Sequence, residues 1–221
     1  MPYPEKLQFA LDKLIDPKIL ANDEKKDGGL IQKEQSSYLL KETKEEGYTE
    51  LTVLVDNTNL CITEFDKTPK WGIINQKKEL GLKKFVDNVI LTLSDDGTWK
   101  AHLIEMKTGM GNGTFENVRA KIRANYYSVK ALCVYLGIKL NDDDFDVYVT
   151  YENMRMPSDP ALMKAPVGKK PSNVIKSEWE KNRMIIKVPD ELELPLIPIK
   201  MKRIVSANSP MGSALVGEIK I

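Results

Sequence analysis

The spacing of apolar positions changes several times along the chain, and these changes predict an alternation of helices and strands. Residues 5–20 and 30–46 carry apolar side chains at helical intervals, which predicts two N-terminal helices. Two β-rich runs, 51–55 and 60–63, then flank the polar stretch 56–59. A polar turn between two such runs is typical of a β-hairpin.

A second hairpin and a long helix follow. The apolar runs 86–93 and 99–107 surround a turn that contains Gly97, so they are predicted to pair. From 115 to 136, apolar side chains recur every three or four positions, which predicts an amphipathic helix that ends at Gly137. This helix is the longest element that the pattern predicts.

The rest of the chain adds more strands. Residues 145–151 alternate as a strand, 172–182 form a short predicted helix, and apolar runs occupy 184–188 and 192–204. The predicted fold is therefore α/β, with a central mixed β-sheet flanked by helices.

Two segments are expected. Residues 1–151 form the α/β core with the N-terminal helices, and residues 152–221 form a β-rich C-terminal extension that is either separate or part of the same domain. No shift in composition marks a boundary between them.

Composition narrows the classes of function. The 221 residues are 42% hydrophobic and 29% charged, which is typical of a soluble globular protein, and the formal net charge of +1 means that any polyanion must bind a local patch. The longest apolar runs are too short to span a bilayer, so no membrane partner and a cytoplasmic location are expected. Cys61, Cys133 and His102 are too few for a Cys/His zinc site or a disulfide framework.

The second hairpin brings chemistry-bearing residues together. If its strands pair symmetrically about Asp96, Asp87 lies opposite Glu105, and Lys107 shares their face. The other positions of that face are apolar. Two carboxylates at the edge of a core repel each other unless a cation joins them, and oxygen ligands favour Mg²⁺ or Mn²⁺.

An aspartate at the start of one strand, a hairpin, and Glu-x-Lys at the end of the next strand, followed by a helix, resemble the PD-(D/E)xK nuclease superfamily. The resemblance covers roughly residues 85–151 and implies a restriction-endonuclease-like core that is a metal-dependent phosphodiesterase. DNA is the expected substrate, and RNA is the less favoured alternative. It further implies that Asp87 and Glu105 hold Mg²⁺ or Mn²⁺, that the Met106 carbonyl completes the metal site, and that Lys107 positions the attacking water.

Further residues are candidates for substrate contact or for completing the site. Lysine and arginine supply phosphate contacts, and glycine lets a nucleic-acid backbone approach closely. The candidate nucleic-acid contacts are Arg119, Lys121, Arg123, Asn125, Gly111 and Gly113. The candidates for an upstream glutamate of the metal site are Glu42, Glu45 and Glu46. A homodimer is possible, with residues 152–221 as one candidate interface.

Three other interpretations stay open. Asp87, Glu105 and Lys107 would form a solvated salt-bridge cluster on an ordinary hairpin. A nuclease-like domain would bind nucleic acid or protein without cutting. A nucleotide would bind the glycine-containing stretch 109–113, although its spacing matches neither a Rossmann nor a Walker loop. His102 is expected on the face opposite Glu105, in a structural role.

Overall fold

The computed structural model describes residues 3–14, 36–44, 47–63, 84–155, 172–187, 190–205 and 213–221. The three helices are α1 (Tyr3–Leu14), α2 (Asn112–Leu136) and α3 (Ser172–Glu180). The strands are β1 (Ser36–Lys44), β2 (Gly47–Val55), β3 (Thr58–Thr63), β4 (Asn88–Leu93), β5 (Trp99–Glu105), β6 (Gly109–Gly111), β7 (Phe145–Tyr151), β8 (Asn153–Arg155), β9 (Arg183–Lys187), β10 (Glu191–Lys200), β11 (Lys202–Val205) and β12 (Ser213–Lys220).

The strands build two larger sheets and one short pair. A six-stranded sheet has the order β3-β4-β5-β7-β10-β9, and a four-stranded sheet has the order β1-β2-β12-β11. In the six-stranded sheet, β5, β7 and β10 run parallel to one another, whereas the outer strands are antiparallel to their neighbours. Because α2 connects β5 to the parallel β7, these elements form a β-α-β crossover at the centre of the sheet.

Two hydrophobic clusters define the layers. On one face of the six-stranded sheet, side chains of β4, β5 and β7 pack with α1, α2 and α3 around Phe115 and Ile122. On the other face, Ile90 and Ile104 pack against Leu51 and Val53 of the four-stranded sheet. The molecule is therefore α/β, but the described helices cover only one face of the central sheet. None of these helices is both long enough and apolar enough to cross a bilayer.

The hairpin of β4 and β5 confirms the predicted register. Asn88 pairs with Ile104, and Leu93 pairs with Trp99, so the strands are symmetric about Asp96. Gly97 has φ +83°, and its N–H donates to the Ser94 carbonyl, which closes the turn. Glycine favours this left-handed backbone because it has no Cβ. Position 87 consequently lies beside position 105.

The long helix is also confirmed, beginning three residues earlier than predicted, at Asn112. It ends where Gly137 adopts φ +69°, with the Gly137 and Ile138 N–H groups donating to carbonyls of the last turn. This is a glycine C-cap of the Schellman type. Strand β7 and helix α3 are confirmed as well, whereas the predicted first helix is described only as far as Leu14, and residues 15–20 lie outside the described residues.

The predicted helix over 30–46 is wrong where the structure describes it. Residues 36–44 form strand β1, in which Ser36, Tyr38 and Leu40 are buried and Leu39 is 54% exposed. This is the period of two expected for a half-buried strand. The exposed Leu39 hides that period in the sequence, because it adds an apolar residue on the solvent side. Residues 30–35 and 45–46 lie outside the described residues.

The predicted hairpin over 51–63 has the correct strands but the wrong pairing. Strand β2 pairs with β1 and β12, whereas β3 pairs with β4, so the chain crosses from one sheet to the other after Val55. Asn59 is fully buried, and its side-chain amide donates to Ser36 Oγ at 3.1 Å and accepts a hydrogen bond from the Tyr38 hydroxyl. A polar turn marks where a chain reverses, but not which strands become neighbours.

The segment after residue 152 contributes strands to both large sheets. Strand β10 pairs with β7 in the six-stranded sheet, and β9 pairs with β10 at the edge. Strand β12 pairs in parallel with β2 of the four-stranded sheet.

Candidate functional site

The candidate site lies where β5 ends. Asp87 comes directly before β4, Glu105 is the last residue of β5, and Met106 and Lys107 follow it. Lys121 approaches from α2, two and a half turns after the helix begins. Because α2 carries the crossover from β5 to β7, the site sits at the carboxyl end of the parallel strands, where α/β sheets commonly bind ligands.

Glu105 is the buried centre of the site. Its side chain has no exposed surface, whereas those of Asp87, Lys121 and Lys107 are 25%, 19% and 16% exposed. Lys121 Nζ lies 2.7 Å from Glu105 Oε1 and 2.9 Å from Oε2, and Lys107 Nζ forms an ion pair with Oε1. The buried carboxylate therefore contacts two ammonium groups at once.

Asp87 completes the cluster from the neighbouring strand. Its Oδ2 accepts a hydrogen bond of 2.6 Å from the Met106 backbone N–H, which fixes the carboxylate beside the end of β5. Its Oδ1 lies 3.5 Å from Lys121 Nζ. The structure therefore brings together Asp87, Glu105, Lys107 and Lys121.

The backbone after Glu105 is held from strand β7. The Lys107 N–H donates to Thr150 Oγ1 at 2.8 Å, and the Thr150 hydroxyl donates to the Lys107 carbonyl at 3.2 Å. Lys107 Nζ donates to the Met106 carbonyl at 2.8 Å. Sequence reasoning missed Thr150. The sequence places Thr150 in the predicted strand 145–151, but it does not predict that this strand lies next to β5.

Electrostatics follow from burial. Burial raises the pKa of Glu105, and the nearby Asp87 raises it further, while Lys107 and Lys121 pull it back without cancelling the rise. For Lys121, burial lowers the pKa, but the attraction of Glu105 and then of Asp87 outweighs this, so its pKa is raised. The fold therefore disfavours the ionised form of Glu105 and favours the protonated, charged form of Lys121.

The oxygen atoms present fit a divalent metal of the magnesium type. Glu105 Oε1 is buried and in ion-pair contact with both lysines, yet it accepts no well-formed hydrogen bond among the described residues. Within the described residues, Asp87 Oδ1 has the 3.5 Å contact to Lys121 Nζ, and the Met106 carbonyl accepts a hydrogen bond from the Lys107 ammonium group that also pairs with Glu105. Two carboxylates and a carbonyl suit Mg²⁺, which keeps several waters and takes few protein ligands. No group of three or more His, Cys, Asp or Glu side chains in the described part of the chain is arranged so that it could hold a metal ion.

A polar stripe on α2 runs past the site. Asn117, Lys121 and Asn125 are spaced by four residues, so they share one side of the helix. Lys84 Nζ donates to Asn117 Oδ1 at 2.5 Å, and Asn125 Nδ2 donates to the Lys121 carbonyl at 2.8 Å. Lys84 and Asn117 were missed from the sequence. The spacing of Asn117 to Lys121 was the available signal.

Two of the expected nucleic-acid contacts, Arg119 and Asn125, are buried and bond to other groups of the protein. Arg119 is 7% exposed, pairs with Glu178 of α3 and donates to the Ile185 carbonyl at 3.2 Å. It joins α2 to α3 and β9 rather than facing a substrate. Asn125 is fully buried and bonds to backbone carbonyls. Of the basic candidates on α2, Lys121 and Arg123 are partly exposed.

The glycine stretch forms a strand rather than a phosphate-cradling turn. Gly109–Gly111 is strand β6 and pairs in parallel with β8, and a Cβ added at Gly111 would lie 3.4 Å from the Arg155 carbonyl. Gly113 is exposed in the first turn of α2. The described glycines with positive φ are Gly97 and Gly137. This geometry gives the nucleotide-binding interpretation no support.

The remaining candidates lie apart from Glu105 or outside the described residues. Glu42 lies on β1, in the sheet that packs on the opposite face from Glu105, and Glu45 and Glu46 lie outside the described residues. His102 is on that opposite face, as expected, with Nε2 2.9 Å from Thr92 Oγ1. Burial lowers its pKa to about 4, so it is a neutral structural residue at neutral pH.

Comparison of the chain with protein-family models, with curated proteins and with solved structures finds no match.

If Arg119 is a structural residue, Arg119→Met should lower the free energy of unfolding by about 3 to 5 kcal/mol, because Glu178 is left buried without its guanidinium partner. Urea denaturation measures this. The Arg119→Met, Glu178→Met double variant should regain most of the loss, and Arg183→Met, which breaks an exposed pair with Glu193, should cost under about 1 kcal/mol. A loss under about 1 kcal/mol for Arg119→Met would contradict the assignment.

The raised pKa of Glu105 makes stability depend on pH in a defined direction. The folded protein binds a proton at Glu105 more tightly than the unfolded chain, so this contribution to stability is present below the ordinary value of 4.5 and is lost as the pH rises through the raised value. In metal-free buffer, wild type should therefore lose stability relative to Glu105→Gln as the pH rises from 4.5 towards neutral.

Glu152 is the matched control for that series. Its pKa is lowered by the hydrogen bond and then the charge of Arg203, so its contribution to stability is lost as the pH falls below the ordinary value of 4.5 and is nearly constant above it. The stability of wild type relative to Glu152→Gln should therefore rise as the pH increases to about 4.5 and then level off. A stability of wild type relative to Glu105→Gln that stays level or rises from pH 4.5 to neutral, measured by urea denaturation, would contradict the raised pKa of Glu105.

Proposed function

We propose that this protein is a metal-dependent nuclease that hydrolyses phosphodiester bonds in DNA, with a restriction-endonuclease-like core related to the PD-(D/E)xK superfamily. The single observation that carries the proposal is the meeting of Asp87, Glu105 and Lys107 at the end of β5. The same sequence pattern on an ordinary surface hairpin would leave Glu105 solvated. Glu105 is completely buried and contacts two lysines, which favours a preformed functional site over a surface salt-bridge cluster.

The proposed ligands are oxygen atoms that share lysine contacts, since Asp87 and Glu105 both contact Lys121 Nζ, and Glu105 and the Met106 carbonyl both contact Lys107 Nζ. Asp87 and Glu105 would hold Mg²⁺ or Mn²⁺ with the Met106 carbonyl, and the remaining coordination positions would be left to water and substrate. Such a cation supplies positive charge that activates water and offsets the charge of the phosphate. The burial of Glu105 keeps solvent away from one side of the site, which strengthens every interaction within it.

Lys107 is proposed to orient the attacking water. Its backbone N–H and its backbone carbonyl each form a hydrogen bond with the Thr150 hydroxyl. Its ammonium group contacts both the Glu105 carboxylate and the Met106 carbonyl. A side chain tethered in this way can donate a hydrogen bond to a water molecule at the same edge of the sheet. It can also contact an anionic oxygen that develops during attack at phosphorus.

Charge balance supports an anionic substrate. In the metal-free site two carboxylates face two ammonium groups, so the cluster is neutral. A divalent cation added to it leaves an excess of positive charge, and Lys84 lies beside the same stripe of α2. Because the whole chain carries a formal charge of only +1, attraction for nucleic acid would depend on local positive charge such as this one.

The test is cleavage of supercoiled plasmid and of single-stranded oligonucleotides in Mg²⁺ or Mn²⁺. Glu105→Gln and Lys107→Met should each reduce the rate by about a hundredfold or more, because each removes a group held at the reacting centre. Glu193→Gln makes the same change at an exposed ion pair and should retain wild-type activity.

Folding of each variant is checked by circular dichroism and urea denaturation. Metal-dependent cleavage that survives in both Glu105→Gln and Lys107→Met would remove the proposed site. Metal-dependent DNA binding without any cleavage by wild type would instead favour a nuclease-like module that binds without cutting.

A further inference from the structure

Lys121 occupies the position that the two carboxylates share. Its Nζ lies within 2.9 Å of both Glu105 oxygens and 3.5 Å from Asp87 Oδ1. Among the described residues that contact the pair, Lys121 is the cation that bridges Asp87 and Glu105. A single metal ion held by both carboxylates would need this same position.

Lys107 differs from Lys121 in its contacts. Its ammonium group touches Glu105 Oε1 and the Met106 carbonyl, and its backbone is tied to Thr150. It therefore stands at one side of the site and contacts one carboxylate. Lys121 reaches the site from a different element, the helix α2, on a long flexible stem.

The bridging lysine answers an electrostatic need of the metal-free protein. Two carboxylates that contact the same ammonium group repel each other, and the complete burial of Glu105 removes its side chain from bulk solvent. An ammonium group between them neutralises the repulsion. The same ammonium would repel a divalent cation that approaches the same oxygens, because both are positive and share the same ligands.

We propose that Lys121 is a built-in counter-ion of the metal-free site, whose ammonium group fills the metal position and must be displaced from Glu105 and Asp87 before a divalent cation binds. This inference rests on the metal site of the proposed function and adds a competitor to it. The partly exposed Lys121 side chain has a way out towards solvent. Lys121 thus stabilises the metal-free protein and lowers its affinity for a divalent cation.

The experiment is calorimetric titration of the full chain with Mn²⁺ alone, without nucleic acid. Lys121→Met keeps most of the apolar stem and removes the charge, so the dissociation constant for Mn²⁺ should fall by about tenfold, equivalent to ~1.4 kcal/mol. Lys121→Arg keeps the charge and should stay near wild type. Lys130→Met removes another ion-paired lysine of the same helix, whose partner is Asp142 instead of Glu105, and should leave the affinity unchanged.

Thermal unfolding of the same samples supplies a second readout. Without metal, Lys121→Met should melt at a lower temperature than wild type, and saturating Mn²⁺ should raise its melting temperature by more than it raises that of wild type. If the variant is unfolded without metal, recovery of its folded signal on addition of Mn²⁺ would support the proposal in the same way.

The outcomes separate this inference from the proposed function. Equal or weaker Mn²⁺ binding by Lys121→Met, beside clear binding by wild type, would overturn the counter-ion role and leave the metal site standing. Tighter binding by Lys121→Met alone among the variants would support the role. If neither wild type nor Lys121→Met binds Mn²⁺, both the inference and the metal site fail.

Discussion

The burial of a carboxyl group at the end of β5 is the constraint on which the rest of the site depends. Glu105 has no exposed surface, so its charge must be balanced by the groups that the fold brings to it. Two elements meet this need: the chain directly after β5 supplies Lys107, and helix α2 supplies Lys121. Because α2 is also the crossover between β5 and β7, the compensation is built into the central connection of the sheet. The site and the core cannot be separated.

Much of the central sheet was predictable because its signals are local. The β4–β5 register follows from a turn whose Gly97 fixes the point of symmetry, and α2 follows from a long apolar period closed by Gly137. The strands with which β2 and β3 each pair were not predictable in this way. Whether the chain after Val55 folds back or crosses to another sheet is decided by distant partners, such as β12 for β2. Strand β1 was hidden by the exposed Leu39, since one apolar residue on the solvent side breaks the alternation.

In the site, too, contacts within one hairpin were predictable from the sequence, whereas contacts between distant elements were not. Asp87, Glu105 and Lys107 belong to one hairpin, so the register of that hairpin was enough to predict that they meet. The contact of Lys121 with Glu105 needs the packing angle of α2 on the sheet, which spacing along the chain does not contain. Arg119 shows the converse, because a basic residue on the same helix is drawn to Glu178 of α3, which no local pattern connects to it. A basic helix face therefore predicts a polyanion contact only after its buried partners are known.

The position of a bound metal ion would test most sharply whether Asp87 and Glu105 form a metal site that Lys121 blocks. Crystals grown without divalent cations and then soaked in MnCl₂ would be examined by anomalous diffraction at a wavelength where manganese scatters strongly. One peak is expected at about 2 Å from oxygens of Asp87, Glu105 and the Met106 carbonyl, with the Lys121 ammonium group moved out of that position. A saturating soak that leaves no peak there, with Lys121 still bridging the two carboxylates, would contradict this expectation.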